Sequence, residues 1–367
     1  MSKKLLSNLK KSGIISEIDF HFACLITRLA STSEIAAGLA AALVSRATGE
    51  GAVCLDLQAQ GGRALPMGAG AKAEAACPEP GCWRRMLLES GVVGEPGEFR
   101  PLVLDADNRL YLYRYWEYEQ ILAAAVAAKA STVFPEFDPP RLRASLDRLF
   151  PHRVESPVDW QRVAAVVAVL KALCIISGGP GSGKTTTVAR LLAILLEQGP
   201  TPNLRIQLAA PTGKAAARIS ASIRTARQEL DCPAAVKEAI PAQATTLHRL
   251  LGTLPGSPYF RHDAQNPLAV DVVVVDEASM VDLALMAKLV QAMPPAARLI
   301  LVGDKDQLAS VEAGAVLADL CGRTAEHRFS REFGATLSAA CSENLQRWCD
   351  PNQQRSGLAD CIVALRH

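Results

Sequence analysis

The segment Gly178-Gly179-Pro180-Gly181-Ser182-Gly183-Lys184-Thr185 carries the most specific chemistry in this chain, because it matches the pattern G-x-x-x-x-G-K-[ST]. Glycines let a backbone turn with its N–H groups pointing inward, and a helix starting at the lysine adds further unpaired N–H groups. Together they form a cradle for phosphate oxygens. In such a cradle Lys184 reaches the β- and γ-phosphates, and the Thr185 hydroxyl ligates Mg²⁺. Gly178 through Thr185, with the adjoining Thr186, are therefore the candidate nucleotide-binding residues.

Three further clusters follow apolar runs. Asp276-Glu277 ends the run Val272–Val275, and carboxylates at a strand's carboxyl end face the crevice where ligands bind in open α/β sheets. Asp276 is the candidate Mg²⁺ residue, directly or through water. Glu277 is the candidate acceptor of a proton from the attacking water, which would make the site hydrolytic. Acids also cap the next helix, a role open to Ser279 or Asp282. Gly303-Asp304-Lys305-Asp306-Gln307-Leu308 follows another apolar run. There Gln307 could reach the γ-phosphate or the water and pass on the nucleotide state, or lie in a plain solvent-facing loop. The fourth cluster, Ala210-Pro211-Thr212-Gly213-Lys214 with Arg218 one turn on, offers amides, a hydroxyl and cations that suit nucleic-acid phosphates. It reads equally as a solvated basic helix face.

These clusters must be positioned by alternating strands and helices. Strands are predicted over 173–177, 205–210, 272–275 and 299–302, and helices over 184–197 and 214–229. Asp159 caps another helix running to about Lys171. This alternation predicts an α/β fold, a parallel sheet flanked by helices. Before it, residues 1–150 predict a smaller, mostly helical domain. Its parts are a helix to about Ala47 capped by Ser31 or Ser33, with Ser31 and Glu34 at the spacing of a capping box, a short helix over 83–89 and a Gly/Pro/Cys-rich loop around it. A β-hairpin follows, over 102–104 and 110–115. Tyr111, Tyr113, Tyr115, Trp116 and Tyr118 gather on that hairpin and its exit, either packing across strands or binding bases or a partner. A Pro-containing linker spans 151–158, and residues 322–358 lose the regular alternation.

Composition bounds the rest. With 39 Lys+Arg against 37 Asp+Glu the net charge is +2, which excludes a polyanion-coating surface and leaves only local basic stripes for nucleic acid. Hydrophobic content of 49% with 21% charged residues describes a globular chain long enough for two or three domains. The longest apolar stretch, 163–177, is interrupted by Lys171, so no membrane span is expected. The ten irregularly spaced cysteines read as reduced thiols in a cytoplasmic protein.

Taken in order, the clusters resemble the first, RecA-like motor lobe of superfamily 1 helicases. In detail they are similar to the RecD family, the alpha subunits of bacterial exodeoxyribonuclease V. The residues carrying this are 178–187 (GGPGSGKTTT), 210–218 (APTGKAAAR), 245–252 (TTLHRLLG), 274–282 (VVDEASMVD) and 303–314 (GDKDQLASVEAG). Weaker N-terminal matches lie at 19–22, 43–57 and 109–119. The resemblance implies ATP with Mg²⁺ as ligands, and a 5′-to-3′ helicase subunit working in recombinational double-strand-break repair. It implies single-stranded DNA and the beta and gamma subunits as partners, the latter docking on the N-terminal domain. It assigns Gln161 to reading adenine, Thr212 and Lys214 to the first DNA contacts, and Thr246 and His248 to a second contact region. His248 is open to a packed role on an apolar helix. Residues 260–267 (FRHDAQNP) match a short insertion near where strands would part.

The same resemblance divides the chain into a docking domain (1–150), a motor lobe (151–321) and a connector leading into the start of a second lobe (322–367). That second lobe supplies an arginine to the γ-phosphate. The chain is accordingly expected to be a C-terminally truncated member that binds ATP weakly and turns over slowly. The alternative expectation is a non-catalytic remnant or assembly module that still binds partner subunits.

Overall fold

A computed structural model describes residues 2–65, 76–134, 136–151, 158–199, 204–307, 312–322, 327–350, 352 and 357–365. The chain forms two compact units. The first is Met1–Gln120 joined by Asp282–Ala284 and 312–314, and the second comprises the remainder from Ile121 onward.

The second unit is built on strands β1 (Leu173–Ser177), β2 (Ile206–Ala210), β3 (Ala244–Thr246), β4 (Val272–Val275), β5 (Arg298–Gly303) and β6 (Ile362–Ala364). Among the described residues they form one sheet in the order β6-β1-β5-β4-β2-β3, with every neighbouring pair parallel. The four β4 valines are fully buried, each contributing roughly 1.5–3 kcal/mol of burial free energy. A strand covered on both faces has no polar side to show, so its sequence is a continuous apolar run. Register pairs Ser177 with Gly303 and Val275 with Leu301, so the carboxyl ends of β1, β5 and β4 lie side by side.

Helices α1 (Trp160–Leu170), α2 (Lys184–Gln198) and α3 (Gly213–Glu229) share this unit's core. Asp159 caps α1 as expected, its Oδ1 accepting from the N–H groups of Gln161 and Arg162 at 3.0 and 3.2 Å. The α/β class and most predicted element boundaries in this unit agree with the sequence to within two residues.

The divisions at 150 and 321 do not match the contacts. The helix Pro139–Leu149 buries Leu142, Leu146 and Leu149 in the core of the second unit. Its prolines occupy the first helical turn, where a missing N–H costs nothing, and do not mark a boundary. Residues 322–367 are likewise no bare connector: their described part holds the helix Arg331–Cys341 and β6, which pairs with β1. Arg162 fixes both additions. Its guanidinium is buried, with Nε donating to the Cys341 carbonyl at 2.8 Å and Nη2 to Asp147 Oδ1 at 2.6 Å. Parts of the predicted Gly/Pro/Cys-rich loop (residues 66–75), of the linker (152–157) and of the tail, including Arg366, lie outside the described residues, as does Leu308.

The first unit packs helices Ser2–Lys11, Glu17–Leu29 and Glu34–Gly49 with a small sheet of Cys54–Asp56, Arg109–Leu112, Leu102–Leu104 and Val93–Gly94. The capping box predicted at Ser31/Glu34 is absent. Ser33 occupies the cap position with φ 52° and no side-chain bond, and the Ser31 hydroxyl donates to the Ser90 carbonyl instead. A capping box does form one helix earlier, between Ser16 and Asp19. The predicted short helix spans Pro80–Glu89.

The hairpin turns at Asp105–Asn108, where Asp105 Oδ1 accepts from the N–H groups of Asp107 and Arg109. Its second strand stops at Leu112, because Tyr113–Ser131 is helical. Only Tyr111 of the aromatic cluster is therefore a strand residue, and it is buried. The others meet along the helix, as Tyr113 with Trp116 and Tyr115 with Tyr118, rather than across strands. No helix among the described residues is long and apolar enough to cross a membrane.

Candidate functional site

The loop after β1 folds as its glycines require. Gly181 and Gly183 have φ of 80° and 79°. At Gly183 a Cβ would also stand 2.5 Å from Gln161 Nε2, so side-chain-free backbone is needed twice over. Gln161, the second residue of α1, donates from Nε2 to the Ser182 carbonyl at 3.1 Å. The structure thus lays the candidate adenine residue directly against the phosphate loop. Ser182 closes the turn, its hydroxyl donating to the Gly179 carbonyl at 2.9 Å. Lys184 Nζ donates to the carbonyls of Gly178 and Gly179 at 2.5 and 3.0 Å. The ammonium is therefore folded back on its own loop, where two weak acceptors hold it until a stronger anion takes their place. Pro180 and Thr186 are exposed, and Thr185 is half-buried in the first turn of α2.

Asp276 and Glu277 leave β4 beside this loop. Burial pushes the Asp276 carboxyl above its ordinary pKa. A backbone hydrogen bond from Glu277 and the charges of Lys184 and Arg218 pull the other way without cancelling it, while the Glu277 charge adds to it. Such a half-desolvated carboxylate gains most from a nearby cation. Together, a hard carboxylate, the Thr185 hydroxyl and the phosphate cradle fit Mg²⁺, which takes one or two protein oxygens and completes its shell with phosphates and water. Glu277 sits at φ 52° and ψ 41°, a left-handed conformation that costs a non-glycine residue of order 1 kcal/mol or more. The 3₁₀ turn Ala278–Met280 follows at once, and Glu277 at its cap position makes no side-chain capping bond.

Gln307 is not a free loop residue. Its Oε1 accepts from the Ser279 hydroxyl at 3.1 Å, tying the end of β5 to the turn after β4. Gly303 makes the approach possible, because a Cβ there would lie 2.6 Å from Leu317 and 3.2 Å from the Ser279 nitrogen. On the other side, the Lys305 N–H donates to Ser177 Oγ at 3.3 Å. Sequence reasoning gave Ser279 only a possible capping role and Ser177 none. Their signal was position alone: hydroxyls beside an acidic pair and at a strand's end.

The remaining candidates gather at β2 and β3. Thr212 caps α3, its Oγ1 accepting from the Ala215 N–H at 3.2 Å. Thr246 caps the helix Leu247–Leu251 in the same way through Arg249. Since Ala210 pairs with Thr246, the two helix starts are neighbours. Lys214 is exposed. His248 is exposed rather than packed in the core, its ring lying T-shaped to Phe260 at 5.7 Å. Arg218, one turn beyond Lys214, pairs with Glu277 across the boundary between the two groups at 3.4 Å.

Two family models match this chain: the RecBCD enzyme subunit RecD N-terminal domain over residues 11–111, and an AAA domain over 161–313. The protein named RecBCD enzyme subunit RecD in Mycolicibacterium smegmatis is 43% identical over 96% of this chain and 60% of its own length. The chain belongs to the RecD family. The RecD subunit of Mycobacterium tuberculosis is 42% identical over 89% of this chain and 55% of its length. An ATP-dependent RecD2 DNA helicase from Deinococcus radiodurans is 40% identical over 40% of this chain and 18% of its length. The chain thus spans about three-fifths of the length of the RecD relatives it matches. The crystal structure of T4 UvsW aligns at 14% identity and a TM-score of 0.32 over 46% of this chain and 35% of that one, too slight a likeness to bear on fold or function.

Proposed function

We propose that this chain is the docking and first motor portion of an ATP-dependent 5′-to-3′ DNA helicase subunit. It would act in the cytoplasm within a heterotrimeric exonuclease/helicase complex that serves recombinational double-strand-break repair. The observation that carries the proposal is the hydrogen bond between Ser279 and Gln307 beside the Lys184 loop. It ties the candidate sensor to the turn after the acidic pair, and the Lys305 N–H bond to Ser177 ties the same loop to the end of β1, which leads into the cradle. When ATP is bound, Lys184 exchanges its loop carbonyls for phosphate oxygens. Mg²⁺, held by Thr185 and Asp276, would neutralise charge building on the phosphates. Glu277 takes the proton of the attacking water. Gln307, moved by the change at the γ-position, pulls on Ser279 and so on the turn that follows Glu277. Single-stranded DNA lies over Thr212, Lys214, Thr246 and His248, and the N-terminal unit docks on the beta and gamma subunits.

The test is ATP turnover with and without a single-stranded oligonucleotide, by the 367-residue chain and by the assembled complex. Unwinding of 5′-tailed against 3′-tailed duplexes is scored alongside. DNA-stimulated turnover with a 5′-tail preference is expected. Turnover indifferent to DNA in both forms would refute the helicase reading.

A further inference from the structure

The Arg218–Glu277 pair joins a residue of the DNA-facing helix to the candidate general base. Arg218 projects from α3 with its side chain 79% exposed, whereas Glu277 is 23% exposed, and Nη1 donates to Oε1 at 3.4 Å. The two come from different strand ends, 59 residues apart in sequence, and they meet only because β2 and β4 are neighbours. Lys214 stands four positions earlier on the same helix, so a phosphate chain crossing Lys214 passes within reach of Arg218. Residues four apart on a helix share a face.

We infer that Arg218 is a DNA-operated lock on Glu277. Without nucleic acid, the guanidinium holds the carboxylate and turns it from the attacking water. A backbone phosphate offers the guanidinium two oxygens in a matching fork. It therefore draws Arg218 away and leaves Glu277 free. Arg218 is a positioning residue here, since it touches neither nucleotide nor water. An exposed ion pair is weak, so the lock is worth about two- to five-fold rather than an on–off switch. This inference rests on the hydrolytic, DNA-binding reading above, and reciprocity between linked sites supplies a test that needs no turnover.

In the DNA-free chain, Arg218→Gln should raise ATP turnover about two- to five-fold and shrink the DNA stimulation ratio by the same factor. The same charge change at the exposed Arg224, Arg224→Gln, should do neither. In nucleotide-free binding titrations with a single-stranded oligonucleotide, Glu277→Gln should tighten binding about two- to five-fold by freeing Arg218. That gain should vanish in the Arg218→Gln background. Thermal melts of each variant report on folding, and the exposure of Arg218 makes a folding defect easy to recognise. Unchanged or reduced DNA-free turnover in Arg218→Gln would overturn the lock, as would an equal Glu277→Gln effect in both backgrounds. If the parent chain binds no oligonucleotide, the DNA reading falls and the lock with it. If the parent binds and is stimulated while Arg218→Gln shifts neither quantity, the lock alone falls.

Discussion

At the carboxyl ends of β1, β5 and β4 the chain is held by its own backbone and by part-buried polar contacts. Lys184 rests on two loop carbonyls, Gln161 on a third, and Gln307 on Ser279. At the ends of β2 and β3 the same kind of strand-to-helix turn is closed only by its capping threonines, and the cations beyond them project into solvent. The first region is organised before its ligand arrives, as a site must be to stabilise charge that appears only transiently. The second could bind and release a polyanion repeatedly, because only the weak Arg218–Glu277 ion pair must give way to let it in. A stepping motor of the kind proposed would need both properties, and the sheet order sets these two groups of strand ends side by side.

The largest effect should fall on the organised side. Lys184→Ala should reduce ATP turnover by about a hundredfold or more, while the melting temperature stays within about 2 °C of the parent. A large loss of stability in that variant would make Lys184 a structural residue and blur the contrast. Next, Gln307→Ala should lower DNA-stimulated turnover about tenfold, a typical coupling free energy. Nucleotide binding, followed by isothermal titration, should stay unchanged. Ser279→Ala, which removes only the partner, should cost about two- to five-fold, one ordinary hydrogen bond.

On the exposed side the effects should be smaller and salt-dependent. Lys214→Ala should weaken oligonucleotide binding about equally across sequences and make the log–log salt slope shallower by about 0.7, one phosphate contact on a single strand. Smallest of all is a pair away from both sites. The Arg205 guanidinium, hydrogen-bonded to Asp271, holds that carboxyl below its ordinary pKa of 3.8. A lowered carboxylate pKa stabilises the fold above the unfolded-state value, and the benefit is lost as pH falls through the lowered one. Arg205→Gln should therefore melt slightly lower than the parent at neutral pH, and the difference should close in acid melts below pH 3.8.

How much of this was legible in the residues follows the same division. Val272–Val275 and Leu173–Ser177 announce buried parallel strands, because a strand covered on both faces must be apolar throughout. The glycine spacing before Lys184 announces the cradle for an equally direct reason. The helix Arg331–Cys341 was hidden, because Gly334, Thr336 and Ser338 break up its Arg, Glu, Leu and Ala. Tertiary packing justifies that glycine: a Cβ on Gly334 would clash with Cys349 Sγ. The three-residue strand Ile362–Ala364 is too short for any periodicity to show and exists because β1 offers it an edge. In the first unit, Glu34–Gly49 buries nine successive residues from Ala36 to Val44, which erases the amphipathic signal and hides where its cap lies. Contacts between strand ends, such as Ser279 with Gln307 and Arg218 with Glu277, need the sheet order, which no local pattern contains.

The central claim is that the organised and exposed regions are energetically linked. Reciprocal binding tests it most directly: oligonucleotide affinity with and without a saturating, non-hydrolysable Mg²⁺–ATP analogue, and analogue affinity with and without saturating oligonucleotide. The account predicts that each ligand changes the other's dissociation constant by the same factor, about fivefold or more, and that Gln307→Ala brings the factor close to one. Two affinities that ignore each other in the parent chain would contradict it.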